Sequence, residues 1–212
     1  SQSKFLRALN DYITLCSLTE AHGGTVRALH AGDSIPLCPG LCAEVLAPSA
    51  ADCAALEQQT SALYAETDSA AFLQKLSALD ARMNNYSLIL RLDYQGTRIL
   101  LPGDTNRAGY GGIADTELRA DLFKVGHHGQ IDGADRALAD KIHPSAVVCC
   151  ASSDRRYNSA HPDTLHLLEA CGARLYFSDC PCLPELHTPP HEALVFTVGR
   201  DGVLDARYLP EA

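Results

Sequence analysis

Two short stretches of this chain carry residue types that bind divalent ions. Gly103-Asp104 follows a segment that reads as a strand, and Gly126-His127-His128-Gly129 follows the next one. A carboxylate and an imidazole on neighbouring strand-end loops can share one ion, and oxygen with neutral nitrogen suits zinc, manganese or iron(II). The glycines let the backbone bend sharply and leave space beside the ligands. Taken singly, each stretch reads as a turn. Spaced by one strand, they make Asp104, His127 and His128 the metal candidates.

Further candidates are weaker when taken alone. In Tyr157-Asn158-Ser159-Ala160-His161-Pro162, the proline suits a first helical position and leaves His161 at the helix entry with its ring free. Asn84-Asn85-Tyr86-Ser87 reads either as a helix-ending turn or as an amide donor aimed at the metal site. Lys124, Arg155 and Arg156 lie close in sequence to these motifs and can meet a phosphate. Cys180, Cys182, His187 and His191 fall within twelve residues and could form a structural zinc site. Against that, the two cysteines are separated by a single residue and four prolines crowd the segment, so a surface loop competes with the zinc reading. His166 falls inside a helix, where a surface role is the ordinary one. There is no nucleotide-binding glycine loop and no Gly-x-Ser-x-Gly nucleophile turn.

The elements that must hold these residues come from periodicity. Residues 3–21 read as an amphipathic helix stopped by His22-Gly23-Gly24. Residues 26–29 and 43–46 read as short strands, and 50–81 as one long helix or two shorter ones. From residue 84 the texture changes. A hairpin of 87–94 and 97–101 is followed by a glycine-rich loop (109–112), a strand at 122–125, a helix at 134–142 and a buried strand at 146–150. A helix at 162–171, a strand at 174–177 and a final hairpin of 193–198 and 203–208 complete the chain. Strands alternating with helices, with polar residues just after strand ends, indicate a layered α/β fold.

Composition bounds the rest. The chain has 212 residues, with 17 basic and 26 acidic side chains giving a net charge of −9. That length suits one domain over 1–212, divided into a lead-in (1–83) and a second half (84–212) that holds the motifs. The acidic balance argues against a broad nucleic-acid groove on this segment. No apolar run approaches the ~18 residues of a membrane span, so no membrane contact is expected from this segment. Nine cysteines, odd in number and irregular in spacing, read as reduced thiols in a cytoplasmic environment. No signal peptide is visible. The chain lacks an initiator Met, so it is expected to start either after Met removal or inside a longer parent, whose own membrane attachment or export is left open.

Four segments in order, 84–92, 99–104, 124–129 and 157–162, resemble the metallo-β-lactamase-fold hydrolases. The branch they are most similar to contains the C-terminal domain of ComEC-type competence proteins. The resemblance runs over roughly residues 26–208. It implies an αββα sandwich, of which this chain would be the C-terminal part, with a dinuclear zinc or manganese site at one edge. Asp104 would bridge the ions, and one of His127 and His128 would be a ligand while the other faces substrate or supports the site. Asn85 and His161 would act as catalytic residues near the scissile group. The implied chemistry is hydrolysis of a small-molecule or nucleic-acid phosphodiester by a metal-bound hydroxide.

One departure is large. The family's main metal motif, His-x-His-x-Asp-His, is absent from these 212 residues. A dinuclear site would need it from a missing first half, so the chain by itself is expected to be a poor catalyst. An incomplete sandwich would leave an apolar face, which predicts a homodimer or packing against that missing half. The competing reading is a non-catalytic binding or assembly module on the same fold.

Overall fold

Short strands with apolar residues on both sides must be covered on both faces, and 122–124 and 146–149 are of this kind. The computed structural model describes residues 2–210. It places seven strands side by side in chain order in one sheet: β1 (Ser34–Cys38), β2 (Leu41–Ala47), β3 (Ile89–Tyr94), β4 (Thr97–Leu101), β5 (Leu122–Lys124), β6 (Ala146–Cys149) and β7 (Arg174–Phe177). β1 to β4 pair antiparallel, whereas β4 to β7 pair parallel. The protein is therefore an α/β protein with a mixed sheet.

Alternation splits the sheet into two faces. Leu100, Phe123, Val147, Cys149 and Phe177 pack against α4 (Asp115–Leu118), α5 (Arg136–Ile142) and α6 (Pro162–Ala170) through Leu118, Leu138, Ile142, Leu165 and Leu168. Leu122, Ala146, Val148 and Tyr176 face the other way. A separate hairpin, β8 (Ala193–Val198) with β9 (Leu204–Leu209), covers them with Leu194, Phe196, Leu204 and Tyr208. Tyr176 and Phe196 meet edge-to-face with ring centroids 5.2 Å apart, the arrangement aromatic quadrupoles favour. The layers are helices, a seven-stranded sheet and a two-stranded hairpin.

The lead-in forms a third, smaller cluster. α1 (Gln2–Ala21), α2 (Ala50–Tyr64) and α3 (Ser69–Asp80) meet through Phe5, Leu6, Leu9, Leu63, Leu76 and Leu79. The stretch 50–81 resolves into two helices because Asp68 starts a new one, its carboxylate accepting from the Ala71 N–H at 2.8 Å.

One strand falls elsewhere than the sequence indicates. Residues 26–29 are not a strand, and the edge strand is 34–38. Residues 32 and 33 already occupy the outer edge of β2. The Gly32 N–H donates to the Val45 carbonyl, and the Val45 N–H donates to the Asp33 carbonyl. That stretch of the β2 edge is therefore not open to 26–29. Pro36, which cannot donate, sits on this edge strand, where prolines are tolerated.

Candidate functional site

Parallel strands bring their C-terminal ends to one edge, and ligands bind there in open α/β sheets. The loops after β4, β5, β6 and β7 all emerge at this edge, as does the chain entering β3, which runs antiparallel to β4. Asp104, the Gly126–Gly129 turn, Cys150 and Asn84 therefore converge although up to 66 residues separate them in the chain.

The turn is tightly constrained. His127 (φ 46, ψ 43) and His128 (φ 53, ψ 26) are both left-handed, a conformation that costs a residue bearing a Cβ on the order of 1–2 kcal/mol. The surroundings hold them there. The Ala160 N–H donates to the His128 carbonyl at 2.9 Å, and the His161 N–H donates to the Gly129 carbonyl at 2.8 Å. A Cβ on Gly126 would lie 2.5 Å from the Thr105 carbonyl oxygen, so no larger residue fits without displacing the 102–105 loop. Lys124 ties the same loop to β5, its Nζ donating to the Gly103 carbonyl at 2.8 Å.

Each histidine has a distinct set of partners. His127 Nδ1 donates to Asp132 Oδ1 at 2.9 Å, and its Nε2 accepts from Asn84 Nδ2 at 3.1 Å. Both ring nitrogens are thus committed to the protein. His128 Nδ1 lies 2.6 Å from the Cys150 carbonyl oxygen, an acceptor only, so the proton sits on Nδ1. Its Nε2 lies 3.2 Å from Asp104 Oδ1. A carboxylate and an imidazole nitrogen this close form an ion pair when the ring is protonated and can share a cation when it is neutral. A ring that donates through one nitrogen to a backbone carbonyl and offers the other outward is the arrangement of a metal-ligating histidine.

Of the residues singled out in the sequence, the structure brings Asp104 and His128 together and sets His127 behind them. Asn84, not Asn85, is the amide against His127. Asn85 Oδ1 is buried without a partner. His161 caps α6, its Nδ1 accepting from the Asp163 N–H at 3.2 Å. Its backbone is fixed to the turn, and among the described residues its Nε2 has no partner. Asp132 is a site residue that sequence reasoning missed; its spacing of five from His127 carries no helical or strand periodicity to flag it.

The second cluster stays apart. His191 is engaged at both nitrogens, with the Pro189 carbonyl at 2.8 Å and the Ser178 carbonyl at 3.2 Å. The Cys180 thiol is directed at the Leu186 carbonyl at 3.6 Å, while Cys182 and His187 are exposed. Among the described residues, no three or more His, Cys, Asp or Glu side chains are grouped as an ion site, here or at Asp104. Two facing donors, Asp104 and His128, are what the chain brings to one.

No helix among the described residues is long and apolar enough to cross a membrane. No family model matches the chain. The chain is similar to ComE operon protein 3 of Bacillus subtilis (strain 168), with 29% identity over 101 residues. The match takes in 47% of this chain and 13% of that protein, so the chain spans a small part of its relative's length.

Proposed function

We propose that this chain is part of a metal-dependent phosphodiester hydrolase of the metallo-β-lactamase superfamily, contributing Asp104 and His128 to its ion site. The observation that carries the reading is the close approach of Asp104 Oδ1 and His128 Nε2, 3.2 Å apart, at the sheet edge where the strand-end loops converge. Carboxylate oxygen with imidazole nitrogen is a donor set for zinc or manganese. A divalent ion there supplies Lewis-acid polarisation of a phosphoryl oxygen and a water of lowered pKa. His127, clamped between Asn84 and Asp132, fixes the turn that aims its neighbour. His161 offers Nε2 to the substrate at the same edge. The remaining ligands come from residues outside this chain. The likeness to ComE operon protein 3 agrees with the ComEC-type resemblance of the motifs.

A second reading, a binding or assembly module, is favoured by the complete engagement of His127 by protein partners. Metal analysis separates the two. The purified chain is loaded with zinc or manganese, dialysed and assayed by plasma mass spectrometry beside Asp104→Ala. The hydrolase reading expects bound ion in the wild type and its loss in the variant. Bound ion in equal amount in both overturns it.

A further inference from the structure

The loop after β6 adjoins the ion site and has an unusual feature at its tip. Tyr157 is 87% exposed, so its ring contributes nothing to the core. Yet its backbone is left-handed (φ 58), as are those of Arg155, Asn158 and Ala160. The loop is fixed at several points. The Ala160 N–H reaches the His128 carbonyl, the Ser153 N–H donates to Asp179 Oδ2 at 2.8 Å, and Arg156 Nε donates to Asp154 Oδ2 at 2.7 Å. A costly conformation held this firmly, displaying an aromatic ring to water, marks a ligand contact.

A cleft of about 470 Å³ has Tyr157 in its lining, with His128, Cys150, Ala151, Ser152 and Ser178. Its size is that of a small-ligand site (~300–1,000 Å³). It shares His128 with the ion pair, so whatever fills it lies next to the group held at Asp104. Its lining combines apolar surface from Ala151 and Tyr157 with polar side chains, Gln130 and Ser178 among them. That combination suits a flat heterocycle with a polar edge: stacking on an aromatic face with hydrogen bonds at the periphery.

We infer that Tyr157 is the stacking platform for a nucleobase adjoining the phosphodiester, which makes it a residue that determines substrate specificity. This rests on the phosphodiesterase reading and names its substrate class as nucleotide. Exposed aromatics bind bases with little sequence preference, because every base has a π face, so the platform favours nucleotides in general over simple phosphate esters.

The test is a calorimetric titration of the purified chain, without metal, with adenosine 5′-monophosphate, ribose 5-phosphate and inorganic phosphate. The nucleotide is expected to bind about tenfold more tightly than ribose 5-phosphate. Tyr157→Ala should abolish that gap, and Tyr157→Phe should keep it, with melting temperatures unchanged because the ring is exposed. Equal affinities in the wild type, a gap that survives Tyr157→Ala, or no nucleotide binding at millimolar concentration each overturn the proposal. The titration is independent of the metal analysis. Loss of the nucleotide preference with metal retained rejects the platform alone; nucleotide preference with equal bound ion in the wild type and Asp104→Ala rejects the ion site alone.

Discussion

His127 and His128 are adjacent in the chain and differ in what their rings can still do. His127 has both nitrogens engaged, by Asp132 and Asn84, whereas His128 keeps Nε2 for Asp104. Their replacements should differ accordingly. His128→Ala is expected to abolish ion retention, and His127→Ala to weaken it by about 10–100-fold, as loss of a supporting partner does. Equilibrium dialysis with zinc measures both. The resemblance implies one ligand in the doublet and one residue that faces substrate or supports the site, but nothing in the sequence shows that the two rings have different partners. That depends on a left-handed turn whose cause, the contacts from 160–161, lies some thirty residues away. The same holds for Asn84 and Asn85, neighbours that only the fold distinguishes. The cysteines make a separate prediction. Burial pushes the Cys149 thiol up to about 12, whereas Cys38, Cys42 and Cys182 are exposed. At pH 8 an alkylating reagent should label the exposed three first and spare Cys149 until the chain unfolds, as peptide mass spectrometry would record. In the folded state Cys149 keeps its proton, while unfolding frees it to ionise near an ordinary thiol pKa of about 8.5. Its contribution to stability is therefore present at neutral pH and is lost as pH rises above that value.

At the scale of elements, glycines decide how closely the 102–105 loop and the 126–133 turn approach. A Cβ on Gly133 would lie 2.4 Å from the Gly126 carbonyl oxygen, and one on Gly126 2.5 Å from that of Thr105. In both cases the obstacle is backbone, which cannot swing aside. Gly126→Ala and Gly133→Ala should each cost about 1–3 kcal/mol, lowering the melting temperature by about 2–4 °C per kcal/mol in a chain of this size. Thermal denaturation followed by circular dichroism checks this. Elements with strong local signals were legible in advance. Residues 97–101, 174–177 and 193–198 fall where alternation and turn residues put them. The edge strand was not, because 26–29 and 34–38 are both short and apolar, and the hydrogen bonds of residues 31–33 to β2 and its end decide between them. The short helix 115–118 was also missed; four residues are too few for a periodic signal, and Leu118 is buried there under the sheet.

For the molecule as a whole, apolar burial is unevenly shared. The sheet carries one large core on its helical face and a second beneath the hairpin, whereas the lead-in helices meet in a cluster of three buried leucines. No residue of α1 is buried, and Tyr12, Leu15 and Leu18 are more than half exposed. Cooperative units with few buried contacts open at lower free energy. Amide hydrogen exchange should therefore be fastest in α1, intermediate in α2 and α3, and slowest in β5 and β6. Protection of α1 equal to that of β6 would show that the lead-in and the sheet unfold as one. The antiparallel-to-parallel change at β4 was the part of the architecture least visible in advance, since strand direction follows from helical crossovers rather than from any residue within a strand.

Of the eight described residues other than glycine that adopt left-handed backbone, six lie in just two loops, at 127, 128, 155, 157, 158 and 160. Glycine at any of them would relax the chain, so a sequence optimised for stability alone would put glycine there. Doing so would delete both rings of the histidine doublet and the exposed tyrosine while leaving every strand intact. A thermostabilised version of this protein obtained by backbone-guided substitution would therefore lose its candidate site before it lost its shape. A protein engineer would do well to exempt these six positions from any such search.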